Sequence, residues 1–232
     1  MSRVFNLLVL VAFGFVFAGL IGAYDERQIL SALAIRYLTE VPEGLGAPNV
    51  VTGILISFRG FDTLGEVAVL FMVAASVGTL LGGKEKNAAV SAAPANVGRR
   101  PPSELVRNGA EVVLPLIFLF GAYVIMNGHL SAGGGFQGGA VVASGVMLYM
   151  LAYPRGGINH DVLSITESLA GVVYVTIGIL GIVFAGGFLD SAILPRGEFG
   201  TFISAGAIPI ISALLGIKVG AELSVIIDRF RS

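Results

Sequence analysis

Six stretches of this chain are long and apolar enough to cross a bilayer, and they limit the fold more than any other feature. Spanning a hydrocarbon core takes about 20 largely apolar residues in a helix, whose backbone polar groups are satisfied within the segment. The stretches run Val4–Ala23, Asp62–Gly83, Glu111–Asn127, Phe136–Tyr153, Thr166–Phe188 and Phe202–Ile227, some with their polar ends at the interface. They predict an all-α, polytopic membrane protein with six transmembrane helices. The first follows Arg3 as a signal peptide would. Val4–Tyr24 is nevertheless 21 uncharged residues, beyond the roughly 7–15 of a signal core, and is expected to be a retained helix.

Composition agrees. The chain is 55% apolar and 12% charged, against about 25% charged in ordinary soluble proteins. Lipid is therefore its main surrounding, and a net charge of −1 argues against a nucleic-acid partner. Cysteine is absent, so the chain supplies neither thiolates for an iron–sulfur cluster nor a disulfide. Its two histidines, His129 and His160, leave little for a metal site. No cofactor is expected in this chain, and 33 glycines suit close helix packing.

Lys and Arg in short loops set orientation. With the N-terminus inside, the inner side holds nine: Arg3, Lys84, Lys86, Arg99, Arg100, Arg107, Arg155, Arg229 and Arg231. The outer side holds four: Arg27, Arg36, Arg59 and Arg196. Both termini are expected in the cytoplasm.

Lys84–Pro102 is rich in Ala, Pro and charge without apolar periodicity, the character of a cytoplasmic linker. It divides the chain into a two-helix part, 1–83, and a four-helix part, 103–232. No internal repeat relates them, which argues against an inverted-repeat transporter. The outer loop Tyr24–Phe61 exceeds a simple turn. Within it Val50, Val51, Ile54, Leu55 and Phe58 share one helical face, and Pro48 suits a helix start.

Two blocks at the membrane surface, Asn49–Phe71 and Asn127–Gly139, join polar, glycine-dense loops directly to apolar helices. A simple anchor needs only apolar length, so these blocks point to part of an ion-translocating complex. Three acids nearby have the spacing of helix caps: Thr63 with Glu66, Ser164 with Glu167, and more loosely Asn108 with Glu111. Capping is the bland reading for Glu111 and Glu167. Glu66 shares a helix face with Asp62 beside Arg59, which suits either a static salt-bridge network or a site that holds a cation or passes a proton. No cap explains Lys218 and Glu222, four residues apart late in the last helix. Lys218 either snorkels to headgroups or turns inward and pairs with Glu222 or a neighbouring subunit. Gly133–Gly139 lacks the lysine of a phosphate-binding loop and is expected to be a tightly packed turn. Gln137 and His129 either line a polar cavity there, or His129 is a solvated loop residue. The ion-path candidates are thus Asp62, Glu66, Lys218 and Glu222, supported by Arg59, Glu111, His129, Gln137 and Glu167.

Asn49–Leu70 resembles the segment joining the two terminal helices of the large Mrp antiporter subunit, which occurs as a separate small protein in membrane-bound hydrogenases. Glu111–Tyr153, centred on NGHLSAGGGFQGG, resembles the Mrp antiporter B subunit. The two likenesses cover nearly the whole chain and make it look like a fusion joined at Lys84–Pro102. They imply a multisubunit sodium/proton antiporter module with other Mrp-type subunits as partners, in the plasma membrane, and sodium as a transported ion. Such modules occur alone or attached to a hydrogenase-like redox arm, as in sulfane-sulfur reductases. The chain is free of the large subunit, which favours the redox-linked class. It lacks the long proton-channel arrangement of the central subunits, so a complete antiport pathway is not expected in it. A purely structural spacer is the alternative. A self-contained enzyme is disfavoured, since no nucleophile–base pair or ligand cluster stands out.

Overall fold

A computed structural model describes residues 2–25, 29–88, 102–154 and 159–231. The described residues are helical apart from loops and one isolated antiparallel bridge between Gly197 and Ser204. They fall into two compact units, Met1–Arg36 and Tyr37–Ser232.

The first unit holds α1, Ser2–Gly22, and the start of α2, Ala32–Glu40. Leu10, Phe15 and Val16 lie on different faces of α1, so the helix is apolar all round. A helix apolar all round belongs in lipid or against other helices.

In the second unit α2 widens into a π turn at Val41–Leu45. Gly46, at φ 74°, then reverses the chain. The short α3, Val50–Gly53, is capped by Asn49, whose side chain accepts from Thr52 N at 3.3 Å, and runs into a second π turn, Ile54–Phe58. The helix expected after Pro48 is therefore present. Val50 and Ile54 of the expected face pack against the core, but Thr52, Gly53 and Ile56 are its most buried residues, and Val51 and Phe58 are exposed. A π turn adds residues per turn and shifts the phase of the helix. Gly53 faces Val41 so closely that an added Cβ would collide with it.

Five long helices complete the unit: α4, Gly60–Ala88; α5, Glu104–Met126; α6, Gly135–Ala152; α7, His160–Phe184; and α8, Ile208–Arg231. α8 is central and packs against the other four. Its seam with α6 is made by glycine: a Cβ on Gly139 would come within 2.8 Å of the Gly216 carbonyl, and one on Gly135 within 2.7 Å of Leu215 Cβ. α5 reaches α6 the same way, since a Cβ on Gly138 would lie 2.9 Å from the Gly121 carbonyl. This is the small-residue packing that membrane helices use in place of a hydrophobic driving force. Ile56, Val67, Tyr174, Leu189, Ile208, Ile211 and Leu215 form the main core beside it.

All six expected spans are present, with shifted ends. α5 begins at Glu104 because Ser103 caps it, accepting from Val106 N at 3.4 Å. α7 begins at His160 because Asn159 accepts from Asp161 N at 3.0 Å and Val162 N at 3.2 Å. α8 begins at Ile208 rather than Phe202, because Ala205 (φ 64°) and Gly206 (φ 59°) leave helical space. The backbone there bonds elsewhere: Ala205 N donates to Arg196 O at 2.8 Å and Ala207 N to Ser191 O at 3.1 Å. α4 stays helical through Ala88, so the start of the stretch read as a linker extends that helix. Residues 89–101 of the linker lie outside the described residues, as do Arg27, Arg99, Arg100 and Arg155 of the charge count.

Candidate functional site

The two blocks singled out in the sequence meet, and Asn49 joins them. Its side-chain amide donates to Thr52 Oγ1 at 2.8 Å, to Gly128 O at 2.8 Å and to Ser131 O at 2.6 Å. Its backbone N–H donates to His129 O at 3.0 Å. Thr52 continues the junction, donating from Oγ1 to Gly133 O at 3.2 Å. One cap residue thus orders a turn some eighty positions away. Gly133 and Gly134, at φ 139° and 151°, let that turn pass close to α3 in a conformation other residues rarely adopt.

Between the blocks lies a cavity of about 380 Å³, walled by Thr52, Thr63, Glu66, Gly133–Gly135, Gln137 and Leu215 among others. Its threonine protons are engaged, since Thr63 Oγ1 donates to Leu55 O at 2.7 Å. The Glu66 carboxylate and the Gln137 amide remain as groups able to meet an ion. No ion pair or hydrogen bond engages Glu66 among the described residues. Its charge bears on the buried hydroxyl of Tyr174, which also has no hydrogen-bond partner. Glu66 is no helix cap: α4 starts at Gly60, and Thr63 bonds back to Leu55. Asp62 stands apart, paired with Arg59 at the exposed surface.

A second cluster lies one turn farther along α8. Lys218 Nζ donates to Glu167 Oε1 at 3.3 Å and pairs with Glu222 Oε2 at 3.4 Å. The ring of Phe71, from α4, lies 5.7 Å from the same ammonium. Lys218 is 7% exposed and Glu222 0%. Gly171 of α7 lies beside the Lys218 stem, where a Cβ would make ordinary contact at 3.6 Å from Cδ.

Several expectations are corrected by this geometry. Lys218 does not snorkel. With α8 starting at Ile208, it stands about 15 Å into a helix about 36 Å long, near the middle, where headgroups are out of reach. Glu167 does not cap α7, because Asn159 does; it lies two turns inside and reaches Lys218. Glu111 does not cap α5 and instead accepts a hydrogen bond from Tyr153 Oη at 3.1 Å. His129 is no solvated loop residue and does not line the cavity: it is fully buried, with its ring 6.5 Å from that of Phe202. Among the described residues neither ring nitrogen has a hydrogen-bond partner. Burial holds its pKa below the ordinary histidine value, with backbone of Thr201, Phe202 and Met126 acting the other way. Tyr174, Phe71 and Asn49 were not among the expected site residues. Asn49 had a signal, an N-cap type before a helical face; Tyr174 shows only as the one tyrosine on the face carrying Glu167 and Gly171. Among the described residues no three His, Cys, Asp or Glu side chains converge as metal ligands.

Comparison with known proteins divides the chain in two. Residues 105–225 match a family described as a domain related to the MnhB subunit of Na+/H+ antiporter, and residues 1–95 match the MbhE family of MBH subunits. An uncharacterized protein of Methanocaldococcus jannaschii is 30% identical over 94% of this chain and 89% of its own length. The B subunit of the Na+/H+ antiporter of Bacillus subtilis is 29% identical, over 42% of this chain and 66% of that protein. Among solved structures, a chain of the membrane-bound sulfane sulfur reductase, an archaeal respiratory membrane complex, superposes with a TM-score of 0.78 at 35% identity. That match covers 99% of this chain and 97% of that one. A chain of the Mrp complex from Dietzia sp. shares the fold, with a TM-score of 0.72 at 22% identity over 98% of this chain and 26% of that one.

Proposed function

Because the chain belongs to the family of domains related to the MnhB subunit of Na+/H+ antiporters, we propose that it shapes part of an ion path through the membrane arm of a multisubunit complex. It is a multi-pass membrane subunit of a larger module. The observation that carries the ion-path reading is the cavity at the junction of the two blocks, with Glu66, unpaired among the described residues, in its wall. Glu66 is exposed rather than buried, and an ionisable residue in a membrane-crossing segment is a functional position by default. The chain itself performs no catalysis in this reading. Its extensive likeness to a chain of a sulfane sulfur reductase supports a module attached to a redox arm rather than a standalone antiporter.

Glu66→Gln tests the path. Gln keeps an acceptor oxygen and nearly the same size but removes the charge. The complex should assemble normally while sodium or proton flux in vesicles is abolished. Normal flux would reduce Glu66 to a lining residue.

A second reading, a spacer that positions larger partners, is favoured by α1, which is apolar all round. It predicts that Glu66→Gln changes nothing, whereas shortening α1 detaches the neighbouring subunits. Both termini are proposed to be cytoplasmic, on the nine-to-four Lys and Arg asymmetry. A reporter fused after Ser232 that is active only on the outer face overturns that orientation. The two family matches also support a joint in the linker. Cutting the gene between Val90 and Pro102 should give two halves that reassemble when expressed together.

A further inference from the structure

The ionised forms of Glu167, Lys218 and Glu222 do not sum to zero. Two carboxylates and one ammonium leave a charge of −1 within membrane-crossing helices, walled by α4, α7 and α8. An uncompensated charge in such surroundings is costly, and a protein escapes the cost by adding a counter-charge or a proton. Glu222 carries most of the difficulty. It is fully buried, and among the described residues neither of its oxygens has a hydrogen-bond donor and its one favourable contact is an ammonium already donating to Glu167.

We propose that Glu167, Lys218 and Glu222 form a one-proton site, in which Glu222 takes up and releases a single exchangeable proton. With the proton on, Glu222 is a neutral acid, Lys218 pairs with Glu167, and the cluster sums to zero. With the proton off, the one ammonium answers to both carboxylates. Nothing else is consumed or produced. The inference rests on the reading of the chain as an ion-translocating subunit and supplies that reading with a place for the proton.

The surroundings leave little else to balance the charge. From α7 come Glu167 and, two turns farther, the phenol of Tyr174. From α4 come the Phe71 ring and, near the cavity, Glu66. α8 itself adds Asp228 and Arg229 toward its end, and Arg229 is occupied at the Ala74 carbonyl, 3.5 Å away. α6 packs along α8 with Gly139 and Val142 and contributes only Tyr149, whose ring lies against Tyr153. α5 meets α8 through Ile125, and the π turn Ile54–Phe58 carries no ionisable residue. Leu215, one turn before Lys218, lines the cavity, so the proton site adjoins the ion site without being part of it.

Infrared difference spectra of the assembled complex, recorded across pH, test the proposal. The wild type should show a titrating carbonyl band of a protonated carboxylic acid, and Glu222→Gln should lose both that band and proton uptake coupled to sodium movement. Glu167→Gln should lose the band as well, although Glu222 is untouched, because the remaining Lys218–Glu222 pair is already neutral. A merely structural role for Glu167 does not predict that loss. A band that survives either substitution overturns the proposal. Glu222→Asp keeps the carboxyl and covers failure of both glutamine variants to assemble: the band should move in frequency, and an unmoved band has the same overturning force. Glu66→Gln separates the two readings. If its flux is normal the cavity is not the path, while the band at the triad is unaffected.

Discussion

Glu66 and Glu222 are both glutamates inside membrane-crossing helices, but they are held in opposite ways. Glu66 faces an open cavity with no partner among the described residues, about 9 Å in from the start of α4. Glu222 is sealed among helices, and its one partner among the described residues is a lysine at mid-span. The contrast shows that depth along a helix does not decide what an acid does. What faces it decides: a cavity lets an ion arrive and leave, whereas a fixed ammonium ties the acid into the fold. Substitutions that strand a charge in the sealed cluster should therefore cost stability as well as proton uptake, whereas substitutions at the cavity should cost transport alone.

The largest effect is expected at Lys218. Lys218→Met keeps much of the side-chain volume but strands two carboxylates without a counter-charge. Removing one member of a buried ion pair typically costs about 3–5 kcal/mol. The subunit should be depleted from the purified complex, and the complex should melt at a lower temperature. Glu66→Ala, by contrast, should leave both properties unchanged. Equal losses from the two substitutions would erase the difference between the regions.

Asn49→Ala should have the next largest effect. It removes the three hydrogen bonds from the side-chain amide and leaves the Gly128 and Ser131 carbonyls and Thr52 without that donor. Each net bond is worth about 0.5–1.5 kcal/mol, so a loss of roughly 2 kcal/mol is expected. It should fall on the cavity: protease sensitivity of the 127–134 turn should rise and ion flux should drop, while the Lys218 cluster keeps its carboxyl band. Loss of that band in Asn49→Ala would mean that the two regions are one cooperative unit.

The helices were legible because apolar length is a property of composition. The glycine seam was not: Gly133–Gly139 read as a tightly packed turn, whereas Gly135, Gly138 and Gly139 lie in α6 and meet its neighbours. Spacing was a poorer guide to roles. Ser164 with Glu167 has the pattern of a capping box, but a pattern does not say where a helix starts. Asn159, five residues earlier, starts it, and that moves Glu167 to Lys218. The same uncertainty at Phe202 and Ile208 turned a mid-membrane lysine into an apparent snorkel. The meeting of Asn49 with Gly128 and Ser131 was out of reach of local reasoning, since no periodicity connects residues eighty positions apart. The two blocks were recognised as unusual, yet that they wall one cavity is a tertiary fact.

The smallest expected effect belongs to His129, which sits in the loop that Asn49 holds and so tests whether the cavity side is fixed from beneath. Burial lowers its pKa in the folded subunit, whereas in an unfolded chain the imidazole takes up its proton near about pH 6.5. Below that pH the unfolded state binds more protons than the folded one, so folding weakens as pH falls toward the lowered value. Above it both states are neutral at this residue and its contribution is constant. Thermal stability of the complex should thus be flat at this residue from about pH 8 to about pH 7 and decline toward about pH 5. The titrating triad adds its own pH dependence, so the comparison is with His129→Leu, which keeps a buried apolar side chain beside Phe202 and carries no proton. The difference between the two stability curves isolates the histidine. If it is zero at every pH, proton uptake by His129 plays no part in opening the loop. If it grows on acidification while Glu222→Gln leaves it unchanged, the cavity side and the sealed triad titrate as independent regions of one subunit.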